Sequence, residues 1–244
     1  EGAMNASFVP VLEREKAKDE AASKAFFSAL WSGVFLASTA IALGGIIAAR
    51  PIVAALAYGF RENPSQFALA VALTRILFPH LVFVTMSALC QGTLNVSRKF
   101  FLPALAPISF SVLIILYLGS LKIFGNGFEL WQVYGLATVA MLGGAVQFAL
   151  LAFSVKKEGY RFKLSLPWKN AGVLQILAIM GPAIISSAGD QLATLVNTLC
   201  ASFLASGSVT AIYNSTRIMQ LPLALFGVAT ASVALPHLAK DAGA

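Results

Sequence analysis

Charge is scarce in this sequence of 244 residues: Asp, Glu, Lys and Arg make up 11% of it, and ten acidic side chains face seventeen basic ones. So little polar surface cannot cover a water-soluble globule of this size. Cysteine and histidine are rarer still, with Cys90, Cys200, His80 and His237 as the whole supply, none beside a partner at metal-ligand spacing. All four are expected in packing or interfacial roles. Three signatures of enzyme chemistry are also missing, namely the G-x-x-x-x-G-K-[ST] phosphate loop, the H-E-x-x-H metal helix and the G-x-S-x-G nucleophile elbow. The expectation is a protein that is not an enzyme and uses no metal or cofactor.

What fills the chain instead is apolar sequence. Hydrophobic residues make up 58% of it and the mean hydropathy is +0.81. Six runs near or above twenty residues recur, roughly at 24–56, 66–97, 101–121, 129–155, 172–204 and 208–236. At 1.5 Å per residue each can cross a hydrocarbon core of about 30 Å. The runs are continuous rather than alternating, which favours helices over a transmembrane β-barrel. The fold class is therefore all-α, a polytopic helical membrane protein. Its first, second and fifth runs exceed a straight crossing and call for tilt or kinks, and Pro51, Pro79, Pro103, Pro107, Pro182 and Pro222 stand in or beside spans.

Basic residues are not spread evenly between the spans. The connections at 10–24, 97–100 and 155–171 carry Arg14, Lys16, Lys18, Lys24, Arg98, Lys99, Lys156, Lys157, Arg161, Lys163 and Lys169; the opposite side holds Arg50, Arg61 and Lys122. By the positive-inside rule the basic connections face the cytoplasm. The net charge of +7 then reflects topology and attraction to anionic membrane lipids, not a nucleic-acid footprint.

Two arginines escape this accounting. Arg75 and Arg217 fall inside spans, where a charge at the bilayer centre costs about 2.5–3.5 kcal/mol on insertion scales and usually faces a cavity or a partner. Arg217 stands nine residues into its span, roughly 13 Å along the helix, too deep for snorkelling to reach water easily. Two guanidinium forks at matched depth suit one phosphate or pyrophosphate better than a cation. Packing of the bundle is the alternative for both, and for Arg75 the two readings stand level. Asp190 is the one acid well inside a span, either a counter-ion to an arginine or a proton or cation site. Just after it, Gln191, Thr194 and Asn197 form a polar stripe on one helix face, which either joins helices or lines water.

The opening EGAMNASFVPVLEREK lacks the basic-then-apolar order of a secretion signal and reads as the last turns of a helix entering a charged loop. The chain is thus expected to be an internal portion of a longer transporter.

Residues 201–240, ASFLASGSVTAIYNSTRIMQLPLALFGVATASVALPHLAK, resemble the seventh-to-eighth helix region of the MurJ lipid II flippases, part of the multidrug/oligosaccharidyl-lipid/polysaccharide exporter superfamily. EGAMNASFVPVL at the start and FPHLVFVTMSALCQGTLNVSRKFFLPALAP at 78–107 agree with it in order, so the resemblance covers essentially the whole chain. It implies that residues 1–155 hold the end of a second helix and the third to sixth helices of one lobe. A basic inter-lobe linker at 156–171 would follow, then the seventh and eighth helices at 172–244. In such a family, cavity arginines are associated with a lipid-linked pyrophosphate, and the one on the eighth helix matches Arg217. Gln220, His80 and Asp190 depart from residues usual in the family, which bears on the ion coupling.

The resemblance implies a flippase of the bacterial cytoplasmic membrane that moves lipid II, or another polyprenyl-pyrophosphate-linked glycan, by alternating access. A membrane potential or an ion gradient would drive it. Expected cavity residues are Arg217, Arg75, Asn197 and Gln191, with Asp190 as counter-ion or coupling site. The alternative is a cation-coupled multidrug or polysaccharide exporter of the same superfamily, which would favour intramembrane acids over arginines.

Overall fold

A computed structural model describes residues 2–124, 129–163, 176, 188–189, 191–205 and 207–222. The described residues are helical with short connections: α1 (Gly2–Lys18), α2 (Glu20–Ile47), α3 (Ala49–Leu56), a 3₁₀ turn (Tyr58–Glu62), α4 (Pro64–Val96), α5 (Phe101–Phe124), α6 (Leu130–Lys157), α7 (Gln191–Ala201) and α8 (Ser208–Pro222). Four of them, α2, α4, α5 and α6, are long and apolar enough to cross a membrane. The fifth run is described at 176, 188–189 and from α7 onward and the sixth over α8, while Asp190, the remainder of both runs and His237 lie outside the described residues.

Two sequence expectations need correction. The charged stretch after residue 10 is not a loop, because α1 continues through it to Lys18 and Asp19 is the sole non-helical residue before α2. Phe8, Val11 and Leu12 bury one face of α1, Lys18 pairs with Glu15 one turn back, and Asp19 accepts the Ala21 N–H as the N-cap of α2. The first apolar run, in turn, is two helices. Pro51 has no N–H for the Ile47 carbonyl, and α2 ends at Ile47 while α3 starts at Ala49.

In α4 the same chemistry is absorbed without a break. Pro79 deprives the Arg75 carbonyl of its usual donor inside a continuous 33-residue helix.

α4 is the central element, packed by α1, α2, α3 and α6, while α5 leans mainly on α6. Close approach of α2 to α4 depends on Gly45, where a Cβ would strike the Phe78 ring. The principal core lies at one end of the bundle, where Phe8, Phe26, Phe27, Leu89, Leu94, Leu151 and Val155 are fully buried. Elsewhere Ile41, Ile47, Ile115, Leu116, Ile123 and Phe153 are exposed, as lipid-facing side chains of spanning helices should be.

The basic connections meet at this same end. Lys99 after α4 pairs with Glu158 after α6. The Ser28 and Ser32 hydroxyls of α2 stand 2.9 Å from the carbonyls of Arg161 and Lys163, sharing their single protons with the Lys24 and Ser28 carbonyls one turn back at 3.0 and 2.8 Å. Tyr160 and Phe162 then stack edge-on against Phe27, with centroids 5.1 and 5.6 Å away.

Candidate functional site

α7 and α8 are joined by a short turn in which Gly207 takes φ +95, a left-handed conformation that glycine adopts without strain. The two helices face each other across a cavity of about 340 Å³. From α7 come Gln191, Thr194, Asn197 and Thr198; from α8 come Tyr213, Thr216, Arg217 and Gln220. The polar stripe of one helix is thus brought opposite the arginine of the other, and three of the expected site residues, Arg217, Asn197 and Gln191, share one site.

Arg217 is oriented by a residue that sequence reading passed over. Its Nε and Nη2 donate to the Tyr213 hydroxyl at 3.0 and 2.7 Å, and the guanidinium carbon stands 5.0 Å from the Tyr213 ring centroid. The available signal is the i, i+4 spacing of the two residues on one helix face. Of the five N–H groups on a guanidinium, three remain to meet a ligand. Thr198 and Thr216 spend their hydroxyl protons on carbonyls one turn back, at 2.8 and 2.9 Å, so toward the cavity they offer lone pairs. No carboxylate lines this cavity among the described residues.

Arg75 is placed elsewhere. It lines a cavity of about 910 Å³ between α3, the 3₁₀ turn and the first third of α4, together with Arg50 and Arg61. Ala54, Phe67, Ala68, Val71 and Ala72 complete an apolar floor. The arrangement therefore differs from two arginines converging on one anion: Arg75 and Arg217 belong to separate cavities, because Arg75 looks toward α3. None of the three arginines here has an ion pair among the described residues. Arg61 instead lies over the Tyr58 ring, 4.6 Å from its centroid.

His80 and Cys90 sit in packing. His80 contacts the Phe110 ring at 5.6 Å and fills the space that Gly144 leaves open on α6. Cys90 is fully buried and Cys200 exposed, both as free thiols. Among the described residues no group of His, Cys, Asp and Glu could hold a metal ion.

The family model described as "Lipid II flippase MurJ" matches residues 1–244. The lipid II flippase MurJ of Burkholderia cenocepacia is 34% identical over 98% of this chain and 47% of its own length. A probable lipid II flippase MurJ of Buchnera aphidicola (subspecies Acyrthosiphon pisum) is 32% identical over 99% of this chain and 47% of its own. A solved structure described as lipid II flippase MurJ in an inward closed conformation superposes with a TM-score of 0.75 at 22% identity, covering 99% of this chain and 49% of that one. The chain spans about half the length of the relatives it matches. With a family model matched from end to end, a multi-helix apolar fold shared with a solved member and 34% identity to a curated one, the chain belongs to the MurJ lipid II flippase family.

Proposed function

We propose that the protein to which this chain contributes moves lipid II, or a closely related polyprenyl-pyrophosphate-linked glycan, across the bacterial cytoplasmic membrane. The observation that carries the reading is the convergence of Arg217 with Gln191, Asn197 and Gln220 in one cavity whose described lining holds no acid. A diphosphate head group needs cationic, forked donors, and the attached sugars need amide and hydroxyl partners. A cationic solute would be repelled by Arg217 there, which favours the flippase reading over the cation-coupled exporter.

In this reading residues 1–155 and 172–244 belong to the two lobes, joined by the basic linker, and the basic end faces the cytoplasm. Arg217 grips the diphosphate, while Gln191 and Asn197 hydrogen-bond to the head group. Arg75, with Arg50 and Arg61, forms a second anion-binding station toward the opposite end. Asp190 serves as counter-ion or as the coupling site for a membrane potential or ion gradient, and the polyprenyl tail stays in lipid throughout.

The test is flipping of fluorescent lipid II by the full-length protein in vesicles, against the same lipid with its diphosphate replaced by an uncharged linker. Transport of the diphosphate lipid alone is expected. Equal transport of both would contradict the role given to the arginines.

A further inference from the structure

At the basic end the segment after α6 passes over α2 with alternating burial. Tyr160 is buried and Phe162 half-buried against Phe27, while Arg161 and Lys163 are exposed. The carbonyls of those two basic residues lie 2.9 Å from the Ser28 and Ser32 hydroxyls, which fixes where their side chains emerge. The result is a cavity of about 370 Å³, walled by Gly159, Arg161 and Lys163 from this segment and by Lys24, Ala25 and Ser28 from α2.

Gly159 makes the approach possible. It takes φ +83, a conformation that favours glycine, and a Cβ there would stand 3.2 Å from the Lys24 Nζ. Three cations from two distant stretches thus converge on one space, and no acid lines it among the described residues. Lys24 gives one of its three donors to Glu20, one turn back, at 2.6 Å, and keeps two. Arg161 and Lys163 have no ion pair among the described residues. Cationic donors without a competing carboxylate fit a phosphate.

Depth decides which phosphate. Trp31 and Phe35 follow Ser28 along one face of α2, about one and two turns further in. Their ring centroids lie 5.2 Å apart, and Phe162 closes on Trp31 at 5.4 Å. Such aromatic residues mark the head-group level of a bilayer, and Leu36 beyond them is exposed, as contact with acyl chains requires. A basic pocket between helices at this level takes a lipid head group.

We propose that Lys24, Arg161 and Lys163 bind the phosphate of an anionic phospholipid from the leaflet at the basic end, and that this lipid fastens the segment after α6 to α2. Both stretches supply cations, so one phosphate bridges them. The site lies apart from the Arg217 cavity, and its ligand is a resident lipid of the membrane, whatever molecule is transported.

The test is hydrogen–deuterium exchange of the full-length protein in nanodiscs of phosphatidylcholine, with and without phosphatidylglycerol. Amides at 160–163 should exchange several-fold more slowly when phosphatidylglycerol is present. Arg161→Gln/Lys163→Gln, which keeps both carbonyls that meet α2, should erase the difference. Lys16→Gln/Lys18→Gln, which removes as much charge from the same end outside the cavity, should preserve it. Equal exchange by the unmodified protein in the two lipid mixtures would overturn the proposal, and that comparison needs no variant to fold. So would a phosphatidylglycerol effect that survives Arg161→Gln/Lys163→Gln or vanishes with Lys16→Gln/Lys18→Gln. Inorganic phosphate added to phosphatidylcholine nanodiscs should protect nothing; protection equal to that from phosphatidylglycerol would assign the site to a free anion and overturn the lipid. Exchange is read without substrate, so its outcome is separate from that of any lipid II assay.

Discussion

The Tyr213 hydroxyl accepts two hydrogen bonds from Arg217, from Nε at 3.0 Å and from Nη2 at 2.7 Å. That pairing fixes which edge of the guanidinium is left for a ligand. Removing only the hydroxyl, as in Tyr213→Phe, keeps the ring under the cation and frees the fork to rotate. A hydrogen bond to a charged group contributes about 1.5–3 kcal/mol, where 1.4 kcal/mol is tenfold. Flipping should fall about tenfold, less where water compensates, with membrane abundance unchanged. An unaltered rate would mean that the orientation of Arg217 is not used.

The segment after α6 is tied to α2 by Ser28 and Ser32. Each hydroxyl shares its proton with a carbonyl of α2 itself, so each tie contributes at most about 0.5–1.5 kcal/mol, and Ser28→Ala/Ser32→Ala should loosen residues 160–163 without unfolding the bundle. Trypsin cleavage after Arg161 and Lys163 in inverted vesicles should accelerate several-fold. Cleavage at the original rate would show that Tyr160 and Phe162 suffice to hold the segment.

Most spans were legible from length and hydropathy, since lipid imposes one condition on every residue of a crossing. The polar stripe was legible too: Gln191, Thr194 and Asn197 repeat at helical spacing, and that regularity survives into the cavity wall. The break at Ala48 was legible in part, since the first run exceeds a straight crossing and Pro51 stands in it, but an apolar run looks the same whether one kinked helix or two helices carry it. The helical nature of the stretch before Lys18 was masked by its charges, which suit an exposed helix face as well as a loop. The grouping of Arg75 with Arg50 and Arg61 depends on how α3 returns toward α4, a tertiary relationship with no local signature. Tyr213 was overlooked for a different reason, as a tyrosine in an apolar span reads first as packing.

Orientation can be tested by labelling. Glu62 is exposed beyond α3, whereas Lys163 lies at the end where Lys99 and Glu158 pair. With the basic end cytoplasmic, Glu62→Cys should react with an impermeant thiol reagent in intact cells and Lys163→Cys should react only after permeabilisation. The reverse pattern would invert the topology.

Asp190 is tested by a double-mutant cycle with Arg217. If the two charges compensate each other, Asp190→Asn should lower the thermal stability of the protein in detergent, and Asp190→Asn/Arg217→Gln should lose less than the sum of the single changes. Additive losses would make Asp190 a separate site.

The most direct measurement is lipid II flipping by full-length protein carrying Arg217→Ala, with membrane abundance measured in parallel. Removing an intramembrane charge does not oppose insertion, so abundance should hold while flipping is lost. Arg217→Lys should keep part of the rate, because an ammonium meets phosphate as a point charge and not as a fork. Flipping at the unmodified rate by a normally abundant Arg217→Ala protein would contradict the assignment of this cavity to the diphosphate.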